Sequence, residues 1–315
     1  MVEVFIKVAV IFAMIAAGFL ANRTGVLPKE SVEYLSRLLV LVTTPCLALS
    51  SIASQDLTNS MIREATEVAA GSVVFYIAAM AVSFLFVKAL KYEPAEDRGV
   101  LQAMITSGNT GFMGFPITKA IFGDKIFFLF IIQNIILNVY IFSGAVIQIN
   151  QGGQERISIK KILAALVNPC LAATIAGIFL LVTGIDLPEP AMDFFTTMGD
   201  STIPISMLVV GVQLGTSDLK GAVGNMKFQL CCLANVVLIP ALTLAAVWFL
   251  PLLDASKLTL VYAAAFPTAV MTVAMAQIEH KNSDLMSQGV AVTTLMSMIT
   301  LPVWAIILME LYSFA

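Results

Sequence analysis

The chain has 315 residues, of which 59% are apolar and 12% charged, with a net charge of −3 at neutral pH. An ordinary globular chain is roughly 45–50% apolar and about 25% charged. At about 20 residues per membrane-spanning helix, the apolar residues supply roughly nine or ten spans, which excludes a soluble globular enzyme, a disordered chain and a secreted disulfide scaffold.

The apolar runs, in chain order, predict ten spans. Span 1 covers residues 2–20; it carries Glu3 and Lys7 and no small-residue cleavage site, so a retained span is expected rather than a cleaved signal. Spans 2 to 5 cover 32–52, 68–90, 100–122 and 126–149. A polar stretch, NQGGQERISIKK at 150–161, reads as a flexible cytoplasmic linker. Spans 6 to 10 cover 162–183, 194–214, 228–250, 258–278 and 289–311. These runs are about twice the length that a barrel strand needs, so they read as helices.

Charge sets the orientation. Of the 17 lysines and arginines, Lys7, Arg63, Lys119, Lys125 and Lys257 lie outside the loops that follow odd-numbered spans, and the rest lie in those loops. Positive loops stay on the cytoplasmic side, so both termini are expected outside. No basic block is large enough to track nucleic acid. His280 is the one histidine, so no Cys/His metal spacing exists. No cofactor is expected. Cys46, Cys170, Cys231 and Cys232 lie in apolar runs and read as small packing residues.

The halves resemble each other. Thr43-Thr44-Pro45 in span 2 is echoed by Thr202-Ile203-Pro204 in span 7, and Phe115-Pro116-Ile117-Thr118 in span 4 by Phe266-Pro267-Thr268-Ala269 in span 9. Five spans per half is an odd number, so the second half must be inverted relative to the first. The expected fold is therefore all-α and polytopic, with ten transmembrane helices in two inverted five-helix repeats, residues 1–149 and 162–315.

Span 4 is the least helix-like. Gly108, Gly111, Gly114 and Pro116 fall within nine residues, which weakens an α-helix. The run is still long enough to span, so it is expected as two half-helices with an unwound middle. Span 9 is interrupted at Pro267. Proline suits the first position of a helix, so each second half-helix is expected to start near its proline. Two such N-termini facing each other near the midplane would bind an anion through free N–H groups. Asn109, Thr110 and Thr268 would add polar contacts. The competing reading is that these residues only kink two helices.

Gln133, Asn134 and Asn138 in span 5 are intramembrane amides, either site residues or interhelical glue. Asn235 and Gln213 read as glue. Asp193, Asp200, Glu279, His280 and Lys119 lie near span ends and are expected to be solvated or to snorkel. With no acidic cluster at midplane, antiport built on buried aspartates is disfavoured. Gly211 and Gly215 form a G-x-x-x-G, read as close packing at a helix pair or a dimer interface.

The segment from Asn109 through Pro116, N-T-G-F-M-G-F-P, resembles the signature of the auxin efflux carrier family, which includes the plant PIN proteins and short bacterial carriers. The resemblance extends to Gln133 and Asn138, Asn168-Pro169, Pro267-Thr268-Ala269-Val270 and Leu301-Pro302. It implies inverted five-helix repeats with broken helices 4 and 9 crossing at the substrate site. It further implies a dimerising scaffold of spans 1, 2, 6 and 7, and a transport domain of spans 3–5 and 8–10 that moves by an elevator mechanism. By the same resemblance, Asn109, with Thr110 and Gly111 beside it, contacts a substrate carboxylate. Thr44 and Ala48 line the scaffold wall, Gln133 and Asn138 support the crossing, and Val270 lines the span-9 side. The chain departs from plant members in its short central loop and in Thr44 and Ala48, which stand where those carriers have a bulkier apolar residue and a serine. The implied substrate is a small organic acid such as malate or malonate, and the implied location the cell's inner membrane. Two alternatives stay open: a sodium-coupled symporter of the bile-acid-transporter-like fold, and a ligand-binding membrane sensor without turnover.

Overall fold

The computed structural model describes residues 2–55, 58–150, 169–216 and 224–312. Residues 151–161 of the expected linker, the start of span 6 and Asn168 lie outside the described residues. The described chain is helical and without strands. Six stretches are long and apolar enough to cross a membrane: Ser31–Ala53, Asn59–Leu90, Thr110–Ile149, Glu189–Thr216, Met226–Trp248 and Ser283–Tyr312. Two shorter apolar helices are Ala9–Arg23 and Pro169–Thr183.

Six is fewer than the ten expected, and the breaks in spans 4 and 9 account for part of the difference. Span 4 begins as α5 (Arg98–Thr106) and stops. Its second half belongs to α6 (Phe115–Tyr140), which runs on into span 5. Gly123, at φ 77° and ψ −171°, turns the chain there, a conformation that favours glycine. The 40-residue stretch Thr110–Ile149 is therefore two segments. Span 9 is divided into Asp254–Ala264 and Met271–Ile278. Neither piece is long enough to cross alone.

Prolines explain the irregular turns. A widened π turn at Leu39–Thr43 is followed by Pro45, one at Thr110–Gly114 by Pro116, and one at Ala234–Leu238 by Pro240. The proline ring clashes with the carbonyl four residues back, and a π turn displaces that carbonyl. A fourth π turn, Ile141–Ala145, has no proline but contains Gly144.

The chain divides into two compact units. One comprises Met1–Ala65, Gly111–Ile132 and Leu166–Thr216. Within it, α1 (Val2–Arg23) lies against the helix Thr202–Thr216. A Cβ at Gly211 would meet the Ile15 carbonyl oxygen at 2.1 Å, and one at Gly18 the Leu208 carbonyl oxygen at 2.4 Å. The G-x-x-x-G of span 7 is thus close packing against span 1 of the same chain, the helix-pair reading of that motif rather than the dimer one. Small residues let two backbones approach, and here that surface is already used. The helix Thr44–Ala53 packs in the same way against Gly177 and Gly199.

The other unit comprises Thr66–Thr110, Gln133–Ala165 and Ser217–Ala315. Its core includes Leu101, Met104, Ile105, Tyr140, Phe228, Cys231 and Met286. Cys46, Cys231 and Cys232 are buried free thiols and Cys170 is half-buried, in keeping with packing roles.

Candidate functional site

The interruptions of spans 4 and 9 meet in the second unit. After α5, Ser107 turns extended, at φ −95° and ψ 95°. Gly108 pairs antiparallel with Thr268. The Asn109 N–H donates to the Pro267 carbonyl at 2.7 Å, and the Ala269 N–H donates to the Ser107 carbonyl at 2.8 Å. Each break thereby satisfies backbone groups of the other, in a buried setting where an unpaired group is costly. A Cβ at Gly108 would lie 3.2 Å from the Ala263 carbonyl oxygen, so the close approach leaves little room for a side chain.

The two expected half-helix starts differ. In span 4, Pro116 is the second residue of α6, as expected, and a π turn precedes it. In span 9, Pro267 sits inside the break, and the second half-helix begins only at Met271. The Pro267 carbonyl and the Ala269 N–H are both taken by residues 107–109, so the helix cannot resume at the proline.

Side chains cap the rest. The last carbonyls of α5 have no intrahelical donors. Asn235 Nδ2 donates to the Ile105 carbonyl at 2.9 Å, and Thr268 Oγ1 donates to the Met104 carbonyl at 2.9 Å. The Thr268 N–H donates to Thr293 Oγ1 at 3.1 Å. Asn235 thus acts as glue. Replacing it with leucine strands carbonyls in an apolar surround. We expect a loss of about 1–3 kcal/mol, measured as a lower thermal unfolding midpoint in detergent.

Span 5 supports the crossing. Asn134 Nδ2 donates to Thr110 Oγ1 at 2.8 Å, and Asn138 Nδ2 donates to the Asn134 carbonyl and Oδ1 at 2.9 and 3.1 Å. Asn138 therefore reaches the crossing only through Asn134. Gln133 Nε2 donates to the Tyr76 hydroxyl at 2.7 Å. Tyr76 stacks on Tyr140 with ring centroids 4.5 Å apart. The Tyr140 hydroxyl joins Thr106 and Gln148, and Gln148 Nε2 donates to Ser83 Oγ at 3.0 Å. Sequence reading passed over Tyr76, Tyr140, Gln148 and Thr293; a lone polar group in an apolar run shows its role only once its partner is placed.

Asn109 is 4% exposed, and its side-chain amide makes no hydrogen bond among the described residues. Thr110 and Thr268 are fully buried, and Val270 is half-buried. The structure thus brings Gly108, Asn109, Thr110, Pro267, Thr268 and Val270 together; Asn138 reaches Thr110 only through Asn134, and Gln133 bonds to Tyr76 instead. Thr44, Ala48, Gly111, Gly114 and Pro116 belong to the first unit. There Ala48 is fully buried, Thr44 and Gly111 are half-buried, and Gly114 and Pro116 are buried.

Lys119 and Glu279, expected at solvated span ends, are held by the protein, and so is Asp97, which drew no expectation. In the first unit, Lys119 Nζ donates to Ser51 Oγ at 2.9 Å and lies 3.4 Å from Asp124 and 3.6 Å from Asp200. In the second, Glu279 is 6% exposed and accepts from Asn150 Nδ2 at 2.7 Å. Asp97, just before α5, accepts from Asn282 Nδ2. Burial pushes the Asp97 carboxyl up from its ordinary value; the Asn282 amide opposes that and nearby Glu96 adds to it.

Comparison with known proteins matches residues 3–305 to a family described as membrane transport protein. An uncharacterised transporter of Methanocaldococcus jannaschii is 22% identical over 310 residues, covering 96% of this chain and 98% of the relative. An uncharacterised transporter of Methanothermobacter thermautotrophicus is 22% identical over 299 residues, covering 95% and 96%.

Proposed function

Because the chain belongs to the auxin efflux carrier family of membrane transport proteins, we propose that it is a secondary transporter moving a small carboxylate, of malate or malonate size, across the cytoplasmic membrane by elevator-type alternating access. The observation that carries this reading is Asn109. A buried amide at the meeting of two broken helices has no side-chain partner among the described residues. A carboxylate would accept from that amide and from the N–H groups at the adjoining helix starts, which carry partial positive charge. Thr110 and Gly111 adjoin it, Gln133 and Asn138 back it, and Val270 borders it on the span-9 side. Thr44 and Ala48 form the wall past which the substrate travels.

The reading includes ten spans in two inverted repeats, with spans 4 and 9 crossing as half-helices, and both termini outside. Spans 1, 2, 6 and 7 act as the scaffold of a homodimer, and spans 3–5 and 8–10 as the moving part. Purified protein in liposomes should take up labelled malonate saturably, malate should compete, and replacing sodium by choline should leave the rate unchanged. Uptake that needs sodium would transfer the protein to the sodium-symporter reading. Malonate binding without flux would make it a sensor.

A further inference from the structure

A groove of about 430 Å³ runs between α4 (Asn59–Leu90) and the helix Ile239–Trp248. We propose that it is a lipid site holding one acyl chain of an anionic bilayer phospholipid, with the net negative head against Lys257. It lies apart from the substrate crossing and does not depend on what the protein transports.

The groove has two lipid-facing walls. Ala70, Val74 and Ala78 recur every four residues on α4, and Leu242, Ala246 and Leu250 form the opposite wall. All six are exposed. The floor is Leu260, pressed against Gly71 so closely that a Cβ there would lie 2.6 Å from it. Alanines on both walls leave the space above that floor open. An empty apolar crevice forfeits dispersion contacts, and bilayer hydrocarbon offers no water to fill it. The lining residues extend from Thr66 to Val82, roughly 24 Å along the helix at 1.5 Å per residue. One leaflet's hydrocarbon is about 15 Å deep, so a single extended chain fits lengthwise. A further helix, about 10 Å across, is too wide for this volume.

The groove also has a direction. Two of its three polar lining residues, Thr66 and Glu67, lie at one end, with Leu250 and Leu252; the third, Thr243, returns its hydroxyl to the Ile239 carbonyl at 2.8 Å. Trp248 and Phe249, 55% and 86% exposed, stand at that same end. An exposed tryptophan of this kind marks the membrane interface. Glu67 is engaged there, accepting from the Leu253 N–H at 2.9 Å. Lys257 precedes Leu260 by three residues and so shares its face of the helix Asp254–Ala264. It makes no ion pair among the described residues. An amphiphile with an anionic head at this end and a tail inward matches both the charge and the apolar walls.

The test is native mass spectrometry of the full chain, equilibrated in detergent with phosphatidylglycerol or phosphatidylcholine of identical acyl chains. Wild type should retain one phosphatidylglycerol per chain and prefer it to phosphatidylcholine. Ala246→Trp, which fills the groove from one wall, and Ala78→Phe, which fills it from the other, should each cut retention roughly tenfold, since every displaced methylene weakens chain binding. Lys257→Gln should keep a bound lipid and erase the preference. Unfolding midpoints in lipid-free detergent identify any filling variant that is misfolded, and the other then decides. Wild-type retention in a folded filling variant overturns the groove assignment. Equal retention of both lipids by wild type overturns the role of Lys257.

Discussion

Liposomes carrying Asn109→Ala are expected to transport malonate about 10- to 150-fold more slowly than wild type. That range converts the roughly 1.5–3 kcal/mol of a hydrogen bond to a charged group into a rate ratio. The substitution also separates a ligand contact from a structural one. Asn109's place in the fold rests on its backbone N–H, which donates to the Pro267 carbonyl. Its side-chain amide makes no hydrogen bond among the described residues. Alanine keeps the N–H, so the unfolding midpoint should stay within a degree or two of wild type, a shift of under about 1 kcal/mol. Asn109→Asp should be at least as slow, because a carboxylate there repels the substrate. Wild-type flux in Asn109→Ala would remove the residue from the proposed site. A lost midpoint with flux scaling to folded protein would make it a structural residue.

Gly211→Val should be the most damaging substitution for stability. A Cβ at 211 would lie 2.1 Å from the Ile15 carbonyl oxygen and 2.6 Å from the Phe19 nitrogen, both backbone atoms of α1. No side-chain rotation relieves such a contact, so the two helices must separate. Overpacking typically costs about 1–3 kcal/mol, and a backbone clash belongs at the upper end. Within a bilayer little opposes the separation, because helix association there depends on close packing rather than on hydrophobic exclusion. Gly215→Ala provides the comparison. Its Cβ would meet Asn22 Oδ1 at 2.5 Å, the end of a side chain. Asn22 can shift, at the expense of its 2.9 Å bond to the Leu27 carbonyl. Thermal unfolding in detergent should rank wild type above Gly215→Ala and that above Gly211→Val; equal midpoints for all three would contradict the packing argument.

These two glycines also show what could be read from sequence. Their spacing announced a close helix approach, and the structure contains one. The partner was not legible, because a small-residue stripe carries no mark of whether the facing helix belongs to the same chain. Span 4 behaves similarly. Its glycines and Pro116 foretold a break, and the break is there. Its position at Ser107–Asn109, and the displacement of the span-9 restart to Met271, follow from backbone pairing between distant segments, which local composition cannot encode. Span 5 was legible as a row of amides. That Asn138 acts through Asn134, and that Gln133 leads to Tyr76 and Tyr140, depends on which residues face them across helices. Lys119 and Glu279 looked solvated because they sit near span ends. Their partners Ser51 and Asn150 are ordinary polar residues that gave no signal by themselves.

The mutual capping of the two broken helices also bears on the order in which the chain matures. Thr268 caps Met104 from 164 residues downstream. At about 5–20 residues per second of synthesis, the carbonyls at the end of α5 exist for roughly 8–30 s before their donors are made. During that interval span 4 should carry peptide groups that still lack their partners. A ribosome-bound first half should therefore keep that span near water or in contact with the insertion machinery, and release it to the bilayer interior only when spans 8 and 9 emerge.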